Sequence, residues 1–176
     1  IKGSISEALL ECQTAVVLIP PGLRNDSGSN FVLKMKPLVQ ALDAANISRC
    51  IYVSSTAVFK DTQGLVTEHT IPEPDTNRGQ QIHAVETLFA TRKHGVNTVI
   101  RLGGLWDANR QPVRYLAGRK DLRNGNAPVN LIHREDAVEI IYRTLLLDNP
   151  PPYLHGVAPQ HPTKSAYYTA QAKKLG

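Results

Sequence analysis

The sequence predicts an α/β fold built on an open parallel sheet. Short apolar, β-branched runs alternate with amphipathic helical stretches, and the connections between them are short. The size also fits: 176 residues with 41% hydrophobic and 20% charged side chains can bury a real core in one domain. Gly 12 and Pro 12 show no repeat, which excludes collagen-like and solenoid chains. No apolar run approaches the length of a membrane-spanning helix.

Each element has its own signal. Thr14 to Pro21 (TAVVLIPP) is a continuous apolar run stopped by Pro20-Pro21-Gly22, which predicts a strand buried on both faces. Phe31 to Ala45 places Phe31, Leu38, Val39, Leu42 and Ala45 near one helix face. Pro37 would kink this helix or mark a later start, and Asn46 would stop it. Arg49 to Val53 is the second strand, with Ser54-Ser55-Thr56 at its end. Gly79 to Lys93 is the next helix, with Ile82, Val85, Leu88 and Phe89 inward and Gly95 as its C′ residue. Asn97 to Leu102 is a third strand and Val129 to Ile132 a short fourth. Asp136 then reads as the N-cap of a helix that ends before Pro150-Pro151-Pro152. Tyr153 to Ala158 is a last extended piece, and Tyr167 to Gly176 a last helix.

In an open parallel sheet, ligands bind beyond the carboxyl ends of the strands. That expectation gathers Pro20-Pro21-Gly22, Ser54-Ser55-Thr56 and Leu102-Gly103-Gly104 along one edge. The net charge of +5 is localised. Between residues 101 and 134, Arg101, Arg110, Arg114, Arg119, Lys120, Arg123 and Arg134 are opposed only by Asp107 and Asp121, and the rest of the chain is balanced. Three readings stay open: a solvated basic loop, a phosphate or diphosphate clamp of arginines, and a nucleic-acid face. The last has only Trp106 and Tyr115 as stacking groups. Cys12 and Cys50 lack metal-ligand spacing and are expected as buried free thiols in a reducing cytosol, a single bridge being the alternative.

Taken together, IYVSSTAVF (51–59), PDTNRGQQIH, VIRLGGLW and LIHREDAVEII have the order and spacing of an extended short-chain dehydrogenase/reductase. The chain most resembles an atypical group of nucleoside-diphosphate-sugar epimerases, across nearly its whole length from Thr14. The resemblance implies one domain over residues 1–176, the C-terminal portion of an NAD(P)-binding Rossmann-like fold whose N-terminal part is missing. It also implies substrate-side segments at about 103–128 and 153–176. A nucleotide-linked sugar would be the substrate, and NAD or NADP the cofactor of the full-length parent. Homodimerisation through the helices at 31–45 and 79–93 follows from the same resemblance, and the cysteine usage implies a cytoplasmic location.

The site residues carry over position by position. Ser55, three residues before Val58, matches the hydroxyl that hydrogen-bonds the substrate oxygen; an ordinary serine turn at a strand end is the bland alternative. The family's general acid/base Tyr and its Lys fall on Arg78 and Ile82 here. Arginine is effectively always protonated and isoleucine tunes nothing, so the usual proton relay is absent. His83 is one residue along and about 100° around the helix and is not its replacement. Pro20, Pro21, Ser54, Leu102, Gly103 and Gly104 are the candidate cofactor contacts. Thr56, Arg110, Arg114 and Arg119 are those for substrate; no metal site is expected. The glycine fingerprint that cradles a pyrophosphate is nowhere in the sequence, so the chain alone is expected not to bind the dinucleotide. Three functions remain: an epimerase, dehydratase or reductase; a non-catalytic dinucleotide sensor or interaction protein; and a basic nucleic-acid-binding module.

Overall fold

Asn30 starts the first helix: its side chain accepts a hydrogen bond from the Leu33 amide at 2.9 Å. This helix, α1 (Phe31–Ala44), follows β1 (Thr14–Val17) in a computed structural model that describes residues 11–22, 29–116 and 124–175. Pro37 lies inside α1 without displacing its start. Phe31, Met35, Val39 and Leu42 recur every three or four residues and are buried on one face. Asn46 ends the helix, as its type predicts, with φ +52°. Amides 46 and 47 bond back to the carbonyls of Asp43 and Leu42, both at 3.0 Å, closing a Schellman motif. Ile47 and Leu42, both fully buried, supply its hydrophobic contact.

β2 (Arg49–Ser55) runs parallel to β1, with Thr14 opposite Arg49 and Val17 opposite Tyr52. α2 (Asn77–Ala90) and β3 (Val96–Leu102) follow, and β6 (Tyr153–Gly156) completes a sheet in the order β1-β2-β3-β6. One core joins α1 and α2 to the sheet through Met35, Leu42, Cys50, Tyr52, Val85, Phe89 and Val99. Within it the rings of Tyr52 and Phe89 stack at 4.4 Å.

Several boundaries differ from the sequence reading, each for a local reason. β1 ends at Val17 and only that residue is buried; β1 is an edge strand of the described sheet, so Leu18 and Ile19 are exposed. α2 starts two residues early because Thr76 caps it, accepting from the Gly79 amide at 3.0 Å. It ends at Ala90, so Gly95 is not its C′ residue. Gly95 has φ +78°, and a Cβ there would lie 2.2 Å from the Ser48 carbonyl oxygen. The glycine lets the chain turn against Ser48 and enter β3.

The chain divides into two compact units: residues 1–101 with 141–155, and residues 102–140 with 156–176. In the second, β4 (Gly104–Trp106) and β5 (Leu131–His133) form a two-stranded parallel sheet. The segment expected as a loop after Leu102 is thus a strand, and the strand expected at 129–132 is shifted toward His133. α3 (Arg134–Leu146) begins directly after β5. Asp136 is therefore inside its first turn rather than at the N-cap, where its charge still favours the helix N-terminus. The imidazole Nδ1 of His133 accepts the Glu135 amide at 3.4 Å and serves that end instead. α4 (Lys164–Leu175) starts earlier than expected, with Thr163 accepting from the Ala166 amide.

Candidate functional site

In the first unit, the parallel arrangement of β1 and β2 sends both strand exits toward one edge. Pro20 is exposed, Pro21 half-buried and Gly22 takes φ +71°. At the β2 exit the side chains of Ser54 and Ser55 diverge. Ser54 is buried, and its hydroxyl donates to Glu86 Oε1 at 2.6 Å, so its side chain faces the interior. Ser55 is half-buried; its Oγ accepts the Ala57 amide at 3.2 Å and caps the short helical turn Thr56–Val58. The serine-turn geometry is therefore present. The Ser55 proton takes no part in that bond and can still be donated.

Gly79 brings α2 against this turn. A Cβ at position 79 would meet the Ala57 carbonyl oxygen at 2.6 Å and the Pro74 Cβ at 2.9 Å, so only glycine permits the approach. Arg78, half-buried, is the residue that precedes this contact in the first turn of α2. Ile82, where the family carries Lys, is 2% exposed and belongs to the core.

Behind the β2 exit lies a buried charge network that the sequence reading missed. Arg101 faces Glu86 with Nε at 3.1 and 3.2 Å from its two oxygens and one terminal nitrogen at 2.9 Å. Both side chains are almost fully enclosed. The guanidinium carbon sits 5.1 Å from the Phe59 ring centroid and 4.5 Å from that of Tyr153. His83 Nδ1 approaches the same carboxylate at 3.5 Å from a partly exposed position. Arg101 is therefore no part of an anion clamp. The signal was available: Glu86 occupies a core phase of α2 between Ile82 and Phe89, and Arg101 interrupts an apolar strand.

The second unit holds the remaining candidates. Gly103 and Gly104 give their close approach to the chain itself: a Cβ at 103 would meet the Asn130 carbonyl oxygen at 2.8 Å, and one at 104 would meet Leu131 Cδ2 at 2.7 Å. They do not fit a pyrophosphate cradle, and no hydride step is assigned to this chain's residues. Leu102 packs over Gly156. Arg134 is paired with Asp107 at 3.1 Å, which removes a second arginine from the clamp. Bonds from the Asn109 and Arg110 amides hold the Asp107 carboxyl below the usual carboxylate range against the effect of burial, with Arg134 and His133 contributing. Arg110 and Arg114 are exposed. Arg119, Lys120 and Arg123 lie outside the described residues.

Cys12 and Cys50 are not bridged to each other. Cys12 is exposed, contrary to expectation, because it precedes an edge strand. Cys50 is buried, and burial pushes its thiol up to about 11 despite the opposing pull of Arg92. Among the described residues, no group of three or more potential ligands could hold a metal ion, and no helix is long and apolar enough to cross a membrane.

No family model matches the sequence. The chain is 35% identical over 173 residues to Protein YeeZ of Escherichia coli (strain K12), an alignment that covers 97% of this chain and 62% of that protein. The chain thus spans about three fifths of the length of the curated relatives it matches. Among solved structures it is similar to an NAD-dependent epimerase/dehydratase from Methylobacillus flagellatus (TM-score 0.76, 20% identity, 93% of this chain and 60% of that one). It is similar also to UDP-N-acetylglucosamine 4-epimerase from Bacillus cereus (0.74, 18%, 97% and 66%). A third is MoeE5 in complex with UDP-glucose and NAD (0.75, 20%, 95% and 64%). The α/β architecture, with its parallel sheet and four helices, is the fold of the NAD-dependent epimerase/dehydratase structures.

Proposed function

We propose that this chain is the substrate-side part of an NAD(P)-binding, epimerase/dehydratase-like protein that acts on a nucleotide-linked sugar. The observation that carries the reading is the β2 exit: a half-buried serine whose proton is not used in capping its own turn, with the first turn of α2 packed on that turn where Gly79 meets Ala57. The shared fold supports it, since neighbours of that fold bind NAD and UDP-sugars. In this reading Ser55 polarises a substrate oxygen and Thr56 adds a second hydroxyl beside it. Arg78 supplies a fixed positive charge to developing oxyanion character instead of moving a proton. Arg110, Arg114 and Arg119, all in the second unit, suit a phosphate-bearing group by side-chain type. Pro20, Pro21 and Ser54 in the first unit, and Leu102, Gly103 and Gly104 in the second, stay candidate cofactor contacts by their strand-exit positions, and neither set supplies a pyrophosphate loop.

The burial of Ile82 at the lysine position favours a second reading: a protein that binds the dinucleotide and performs no hydride transfer. One experiment separates the two. The protein, produced at the length of its curated relatives, is titrated with NADH and NADPH by fluorescence and then assayed for hydride exchange with a panel of nucleotide sugars. Exchange that Ser55→Ala reduces by about 10²-fold or more supports the enzyme. Binding without exchange supports the sensor. Failure to bind either dinucleotide overturns both and returns the basic nucleic-acid-binding module to first place.

A further inference from the structure

Two buried nitrogen atoms in the first unit have no hydrogen-bond partner among the described residues: Nη1 of Arg101 and Nε2 of His155. They are neighbours. The Val99 amide bonds the Pro152 carbonyl and the Gly103 amide bonds the Gly156 carbonyl, each at 2.9 Å. In a parallel ladder these bonds set Arg101 opposite His155, with both side chains on the same face. Both side chains reach the Phe59 ring, which lies 5.1 Å from the Arg101 guanidinium carbon and 5.4 Å from the His155 ring, while Tyr153 walls the guanidinium. Buried polar groups in folded proteins are rarely left unpaired, and two unpaired groups side by side require one common explanation.

The chemistry of the pair narrows that explanation. A guanidinium nitrogen only donates, and a neutral imidazole offers one accepting nitrogen. The Glu86 carboxylate already balances the Arg101 charge, so an anion would add an uncompensated charge and a cation would face Arg101 directly. We propose that Arg101 and His155 together hold one internal water molecule. Nη1–H donates to the water oxygen, and the water donates to Nε2 of a neutral His155 whose proton sits on Nδ1. A neutral ring is consistent with the surroundings: burial lowers the proton affinity of His155, Glu68 opposes this, Arg101 reinforces it and Glu86 opposes it again. The bridge would extend the Ser54–Glu86–Arg101 network to the His155 ring. The backbone amide of the same residue is held separately by the Glu68 carboxylate at 3.0 Å.

Two measurements on the unaltered protein test the site. A crystal structure at a resolution that orders solvent should show a single density peak about 2.7–3.2 Å from both nitrogens. The absence of such a peak, or another protein group in its place, overturns the proposal. Nitrogen-15 NMR at neutral pH should find His155 as the Nδ1–H tautomer. A proton on Nε2 would leave the water no acceptor and overturns the proposal independently of any crystal.

Discussion

Two arginines are buried in the first unit, and the protein treats them differently. Arg92, in the connection from α2 to β3, is saturated. Its Nε reaches Asp43 at 3.1 Å, Nη1 reaches Asn97 at 2.8 Å, and Nη2 reaches the carbonyls of Ile47 at 2.9 Å and Leu42 at 3.4 Å. It fastens the end of α1 to the start of β3. Arg101, near the far end of β3, is held by one carboxylate and two rings, and its Nη1 has no hydrogen-bond partner among the described residues. The difference separates the two ends of the sheet. At the amino end the arginine has only to close the structure, and its bonds go to backbone carbonyls of the α1 stop. At the carboxyl end, the same residue type organises polar side chains around the exit that carries Ser55.

The largest expected effect tests the first half of this contrast. Arg92→Met removes the cation from Asp43 and takes the side-chain donor from the Ile47 carbonyl, and should cost about 3–5 kcal/mol in urea unfolding, as breaking a buried pair does. Dinucleotide affinity per folded molecule should not change. Glu86→Gln should cost a comparable amount, about 3–5 kcal/mol, because it leaves the almost fully enclosed Arg101 cation without its counter-charge. Unlike the Arg92 variant, it should perturb the backbone NMR signals of Ser54 and Ser55; unmoved signals there would dissolve the distinction. Thr76→Ala should cost about 1 kcal/mol by loss of the α2 cap and raise amide exchange at Gly79. Exchange around Arg92 should be unaffected.

The smallest effect is one of pH. His155 is held below the ordinary histidine range, chiefly by burial, with Glu68 and Glu86 opposing and Arg101 reinforcing the shift. The unfolded chain therefore takes up this proton more readily than the folded one. The stabilisation is complete above the ordinary value of 6.5 and declines as pH falls below it. Urea midpoints at pH 7.5 and about 5.5 should differ less in His155→Gln than in the parent protein. Equal differences in the two would place the acid sensitivity elsewhere.

The element order was legible because periodicity and punctuation agree. Phe31, Val39 and Leu42 mark one helix face, Asn46 stops the helix, and the apolar runs at 49–53 and 97–102 are the two inner strands of the sheet. Boundaries were less legible where a cap or a contact made later in the chain decides them. Thr76 moves the start of α2, and Gly95 answers to Ser48, which is distant in sequence. The site was legible in part. The Ser55 turn and the loss of the Tyr and Lys positions can be read from the motif. Charge counting, in contrast, could not reveal that Arg101 and Arg134 are already spoken for, since their partners Glu86 and Asp107 are brought to them by tertiary packing. Gly103 and Gly104 suggested a ligand by type alone, whereas the space they leave is filled by Asn130 and Leu131.

The Glu68 carboxylate on the His155 amide has a consequence for the company this protein keeps. β6 is an outer strand of the four-stranded sheet, and its outward amide would ordinarily invite a foreign strand to extend the ladder. A negatively charged side chain seated on that donor both occupies it and repels an approaching carbonyl row. One acidic residue far from β6 in the chain thus covers a donor that the outer strand of the described sheet would otherwise leave exposed.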